Sequence, residues 1–155
     1  MTTTTHTAIG TIIGLYLLNP VLGFLVGLAS HFLVDMIPHG DGDMRDETER
    51  ELDKSNKKVI AYGTMDVLVA FFLLIILVNV RDPEYILPLT MAIAGSVLPD
   101  FIVGLHDVTK WKILDKAVAT HWYFHDFFLK KYGDIKLGHS LLGQGLFIAI
   151  LLNIF

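Results

Sequence analysis

Residues 59–80 read VIAYGTMDVLVAFFLLIILVNV, with Asp66 as the one charge. At about 1.5 Å per residue such a run crosses a hydrocarbon core of about 30 Å. The segment therefore predicts a transmembrane helix, and it sets the class of the whole chain. On its N-terminal side, residues 38–58 are loop-like and rich in charge, from Asp41 and Asp43 through Arg45 to Lys58. Before that connection come two apolar runs, Ala8 to Leu18 and Val21 to Ile37, separated by Asn19-Pro20. Proline disfavours helix at the residue before it and is comfortable in the first turn of a new helix, so a tight helical hairpin is expected.

On the C-terminal side, the turn Arg81-Asp82-Pro83-Glu84 leads to a further apolar run from Tyr85 to Leu105, a span interrupted by Pro88 and ending at Leu98-Pro99-Asp100. Residues 106–136 interleave Trp111, Trp122, Tyr123 and Phe127 with Lys and Asp, the pattern of an amphipathic helix lying in a membrane interface. Leu137 to Phe155 gives a last short span. The expectation is an all-α, polytopic membrane helix bundle of about five transmembrane helices plus one interfacial helix, with residues 1–155 forming a single domain.

Composition agrees, and it narrows the function classes. The chain is 53% hydrophobic, and its 16 acidic and 12 basic residues leave a net charge of -4 with no concentrated basic face, which argues against a nucleic-acid partner. With no cysteine, any metal must be held by His and carboxylate groups. Met1 to Gly10 contains no Lys or Arg, so the first apolar run is expected to be a lasting helix, not a cleaved leader.

If the five helices alternate in direction, the polar residues inside them collect at one membrane face. His6 starts the first helix, and His31, Asp35 and His39 end the second. Asp66 lies near the start of the third, Asp100 at the end of the fourth and His139 at the start of the fifth. Charged groups in hydrocarbon cost about 2.5–3.5 kcal/mol each on insertion scales, so a cluster of them needs a partner. A divalent cation is the economical one, since it neutralises carboxylates and accepts neutral imidazole nitrogens. His31 and Asp35 are one helical turn apart, and His39 follows at the same interval. The expected ligands are His6, His31, Asp35, Asp66, Asp100 and His139, around one or two ions, Zn2+ first with Mn2+ or Mg2+ as alternatives. His39 and Asp66 are the candidates for moving protons. His121 and His125 share a helix face, but within an aromatic interfacial stretch they read as surface histidines.

Every Lys and Arg except Arg81 falls on the same side as this polar gathering. By the positive-inside rule that side, with the N-terminus, faces the cytoplasm.

The segments Thr5-His6, His31-Phe-Leu-Val-Asp35-Met-Ile-Pro38-His39, Gly95-Ser-Val-Leu-Pro99-Asp100 and His139-Ser140 together resemble the membrane-bound metal-dependent hydrolases of the YdjM type. The stretch from His31 to His39 is also similar to the His-x-x-x-Asp metal helix of zinc-dependent phospholipase C. The resemblance implies a hydrolase of ester or phosphoester bonds, with membrane lipids or a lipid-linked substrate as partner. Two other classes compete: an ion or proton transporter, as an oligomer if five short helices are to enclose a pore, and a non-catalytic membrane adaptor. Relays need polar steps through the whole membrane, whereas the far half of each helix here is apolar. Polar pairs used only for packing return about 0.6 kcal/mol each, a poor return on so many.

Overall fold

The structure, a computed structural model, describes residues 1–40, 54–80 and 82–154. It is built from helices α1 (Thr3–Leu17), α2 (Pro20–Asp35), α3 (Lys54–Val80), α4 (Pro83–Thr109), α5 (Asp115–Tyr132) and α6 (Leu137–Ile154), with a single 3-10 turn at Lys112–Leu114 before α5. No strand occurs among the described residues. Most of the acidic connection expected over 38–58, including Asp41 and Asp43, lies outside the described residues, and α3 already begins at Lys54.

The α1–α2 hairpin forms where Asn19-Pro20 predicts it. The Asn19 side chain caps α2 by accepting from Leu22 N at 3.0 Å, Pro20 takes the first turn, and Leu18 closes α1 in a left-handed conformation at φ 49°. The expectation that α4 ends at Leu98-Pro99-Asp100 is corrected. Pro88 and Pro99 both lie inside a continuous helix that runs on to Thr109, about 14 Å past Asp100 at the usual rise. Proline is tolerated there because packed neighbours can re-satisfy the backbone groups it frees.

Helix α4 is the centre of the packing, seated on both α1 and α2. Small residues make this approach. Gly10 and Gly14 on α1, and Gly23 and Gly27 on α2, repeat at four-residue spacing and face α4. A Cβ on Gly14 would lie 2.5 Å from Leu89 Cα, and one on Gly27 2.2 Å from the Ala92 carbonyl oxygen. Gly95 answers from α4, where a Cβ would lie 2.1 Å from the Phe24 carbonyl oxygen. Backbones brought this close gain van der Waals contact without a large side-chain core, the usual currency of helix association in lipid. The buried apolar cluster is correspondingly small, centred on Leu77, Leu89 and Ile93.

Two helices are long and apolar enough to cross a membrane, over 61–79 and 84–109, while α2 and residues 137–151 are shorter apolar helices. Only 11% of the first segment is buried, whereas the core helix of a soluble domain is mostly buried. Its side chains Met65, Val67, Leu68, Phe71, Phe72 and Ile76 form an exposed apolar surface of the kind water disfavours and lipid accepts.

Candidate metal centre

Four helices converge on one point. α1 supplies His6 from its first turns, α2 supplies His31 and Asp35 from its last, α4 supplies Asp100, and α5 supplies His121 and His125. The 3-10 turn reverses the chain after α4, helped by a His106 Nε2 to Asp115 Oδ1 contact of 2.9 Å, so that α5 packs back over α4 and α2. His6, His31, Asp35, His39, His121 and His125 are all buried, and Asp100 is partly so.

Among the described residues, His31, Asp35, Asp100 and His121 each present a ligand atom within 4.8 Å of the other three, a group that could hold a metal ion. His31 Nε2 lies 3.8 Å from Asp35 Oδ2 and 3.7 Å from Asp100 Oδ1. His121 Nε2 lies 3.7 and 3.9 Å from the same two oxygens. The tautomer of His31 is set from behind: Nδ1 donates to the Ser96 carbonyl at 2.8 Å, which leaves the Nε2 lone pair facing the carboxylates. Burial pushes the His121 imidazole down to about 4 against the pull of Asp35, so at neutral pH it is uncharged and able to ligate. On the other side of Asp35, His6 Nε2 approaches Oδ1 at 3.4 Å and His39 Nε2 at 3.9 Å, and the Met1 amino group touches both Asp35 Oδ1 and His39 Nε2. Among the described residues, Nδ1 of the fully buried His6 finds no hydrogen-bond partner, and Nε2 has only its loose approach to Asp35 Oδ1. A buried polar atom left so poorly paired costs about 1–3 kcal/mol, which a metal ion at Nε2 would relieve there.

The structure thus brings together His6, His31, Asp35 and Asp100, and His39 beside them. It does not bring Asp66 or His139 into the ligand group. Asp66 accepts from Thr3 N, Thr4 N and Thr4 Oγ1 at 2.6–3.1 Å, so its carboxylate serves the N-terminal turn of α1 and forms part of the cleft wall. His139 is exposed on the first turn of α6. What reaches inward from α6 is Gln144, whose Oε1 accepts from Thr2 N, Thr2 Oγ1 and Thr5 Oγ1. The surface reading of His121 and His125 is corrected, since α5 buries both, His121 within the ligand group and His125 on the wall of the cleft beside it. Their i,i+4 spacing, with Asp126 next to His125, was the available signal.

The cluster opens on a polar cleft of about 190 Å³ lined by Asp35, His39, Asp66, Asp100, His121 and His125 among others. Two apolar cavities adjoin it. One, about 380 Å³, lies against Ile9, Val34, Ile37, Pro38 and Phe147 and shares His39 and Gln144 with the cleft. The other, about 510 Å³, lies against Val67, Val97, Phe101, Leu105 and Val108 and shares Asp100. No family model, curated protein or solved structure matches this chain.

Proposed function

We propose that the chain is a membrane-embedded, divalent-metal-dependent hydrolase that cleaves an ester or phosphoester carried by a lipid. The observation that carries the reading is the continuity between a His/Asp ligand group and two apolar cavities sharing residues with its cleft. A headgroup bond placed at the polar cluster would leave its acyl chains beside apolar walls. His31, Asp35, Asp100 and His121 are the residues that would hold the ion, and two imidazoles with two carboxylates suit Zn2+ or Mn2+ better than Mg2+. When bound, such an ion supplies Lewis acidity and lowers the pKa of water at the site.

The chain's own groups supply proton handling. His125 is buried on the cleft wall with Nδ1 3.0 Å from Asp126 Oδ1, an arrangement in which the carboxylate fixes the imidazole while Nε2 exchanges protons. His125 takes this role in preference to Asp66, whose oxygens are engaged by α1, and to His39, which stands among the ligand groups. Trp122, also on the cleft wall, adds an aromatic surface at the level of the headgroups. In this reading α1, α2 and α6 complete a five-span bundle, and the cleft faces the cytoplasm, the side that carries the Lys and Arg residues.

Protein purified in detergent is expected to carry divalent metal in at least stoichiometric amount and to hydrolyse phospholipid. Chelation should remove activity and re-addition of the ion should restore it. Metal-free protein from metal-replete preparations, or hydrolysis indifferent to chelator, would sink the proposal.

A further inference from the structure

Within each carboxylate of the cluster, the two oxygens face different histidines. Asp35 Oδ2 and Asp100 Oδ1 are the oxygens nearest to His31 Nε2 and His121 Nε2, at 3.7–3.9 Å. Asp35 Oδ1 is the oxygen nearest to His6 Nε2, at 3.4 Å, and to His39 Nε2, at 3.9 Å, while Asp100 Oδ2 is the one nearest to His6, at 4.0 Å. Asp35 therefore divides its two oxygens between two pairs of imidazoles, and Asp100 divides its own between the pair His31 and His121 and the single ring of His6. Donors about 2.0–2.2 Å from a shared ion at a tetrahedral angle lie about 3.3–3.6 Å apart. The imidazole–carboxylate distances of 3.4–4.0 Å around both positions must therefore shorten to close on a metal, and the ligand atoms of the first set lie within 4.8 Å of one another.

We infer that the centre binds two divalent ions bridged by Asp35 and Asp100. One ion is held by His31 and His121 with Asp35 Oδ2 and Asp100 Oδ1. The other is held by His6 and His39 with Asp35 Oδ1 and Asp100 Oδ2. The inference rests on the reading that the cluster binds divalent metal at all, and it adds the number of ions and the division of ligands between them.

Three further observations point the same way. The rings of His6 and His31 are stacked with centroids 4.2 Å apart and planes 27° from parallel. Two near-parallel imidazoles at that offset aim at positions separated by a similar distance, and paired metal sites are spaced by about 3.5–4 Å. His6 is fully buried, and its Nε2 is aimed between two carboxylates, 3.4 Å from Asp35 Oδ1 and 4.0 Å from Asp100 Oδ2, without a well-formed hydrogen bond to either. His39 is oriented like His31: its Nδ1 donates to the Ile37 carbonyl at 2.7 Å, which leaves Nε2 as a lone-pair donor toward the second position. The Met1 amino group lies against Asp35 Oδ1 and His39 Nε2, so a second ion would take the place of that group between them.

The test uses the full chain in detergent, stripped of metal and titrated with Mn2+, read by equilibrium dialysis and by electron paramagnetic resonance. The expected result is two ions per chain at saturation, with the exchange-coupled spectrum of a carboxylate-bridged pair. His39→Gln should bind one ion and give the isolated six-line spectrum. His6→Gln should do the same, and because His6 is buried its fold is checked by circular dichroism. The wild-type result stands without either variant. One uncoupled ion at saturation would overturn the two-ion centre while leaving the hydrolase proposal in place, and no bound ion would overturn both. Two coupled ions in the His39→Gln protein would overturn the ligand assignment.

Discussion

His31 is fixed by what lies behind it. A carbonyl oxygen can only accept, so the 2.8 Å contact from Nδ1 to Ser96 O determines which nitrogen holds the proton, and Ser96 Oγ in turn donates to the His6 carbonyl at 2.8 Å. One serine on α4 thereby couples the two stacked histidines to the helix that carries Asp100. The i,i+4 relation of His31 and Asp35 was legible in the sequence because helix geometry alone places both on one side. His121 was not, because only the reversal after Thr109 brings α5 back across α2, and a tertiary contact leaves no local periodicity. His139 misleads for a related reason: it occupies the first turn of α6, as the alternating topology requires, but it is exposed on the wall of the apolar cavity beside the cleft and stands outside the ligand group. The contrast is measurable. His121→Ala should weaken divalent-metal binding by at least about tenfold in a calorimetric titration, whereas His139→Ala should leave it unchanged. Equal losses in the two variants would contradict the placement of the site.

At the scale of the elements, the glycine seam decides how close α4 comes to α1 and α2, and so how close Asp100 comes to Asp35. Adding a methyl group at Gly27 puts it 2.2 Å from a backbone carbonyl, which cannot rotate away. Gly27→Ala should therefore lower stability by about 1–3 kcal/mol, the usual range for overpacking. At Gly104, also on α4, nothing among the described residues comes within 4 Å of where the added methyl group would stand, and there the same substitution should be neutral or stabilising, by up to about 1 kcal/mol, through helix propensity. Thermal unfolding in detergent separates the two outcomes, and a Gly27→Ala protein as stable as the parent would argue against the packing. The hairpin at Asn19-Pro20 could be read from the sequence because proline acts on its immediate neighbours. Pro99 could not be read the same way: whether a proline ends a helix or sits inside one depends on what packs around it, and α4 is packed on two sides.

For the whole molecule, two helices are long and apolar enough to cross a membrane, and in the proposed reading the asymmetry of basic charge gives the chain one orientation in it. The absence of cysteine makes this easy to test, since any introduced thiol is the sole target. Asp82→Cys should react with an impermeant maleimide added to intact cells, and Lys136→Cys only after permeabilisation; the opposite pattern would reverse the orientation. The helical class was legible from apolar run lengths, while the heights of the helices were not, because α3 and α4 extend beyond the level of the site and α1 starts at it. The ligand residues also have an order in time. His6, His31 and Asp35 emerge from the ribosome early, but Asp100 follows Asp35 by 65 residues and His121 later still. At typical synthesis rates of about 5–20 residues per second, several seconds pass in which only part of the coordination sphere exists. If the proposed centre holds an ion, tight capture has to wait until α5 has been made and folded back, which would make ion uptake a late event in biogenesis and a natural report that assembly is complete.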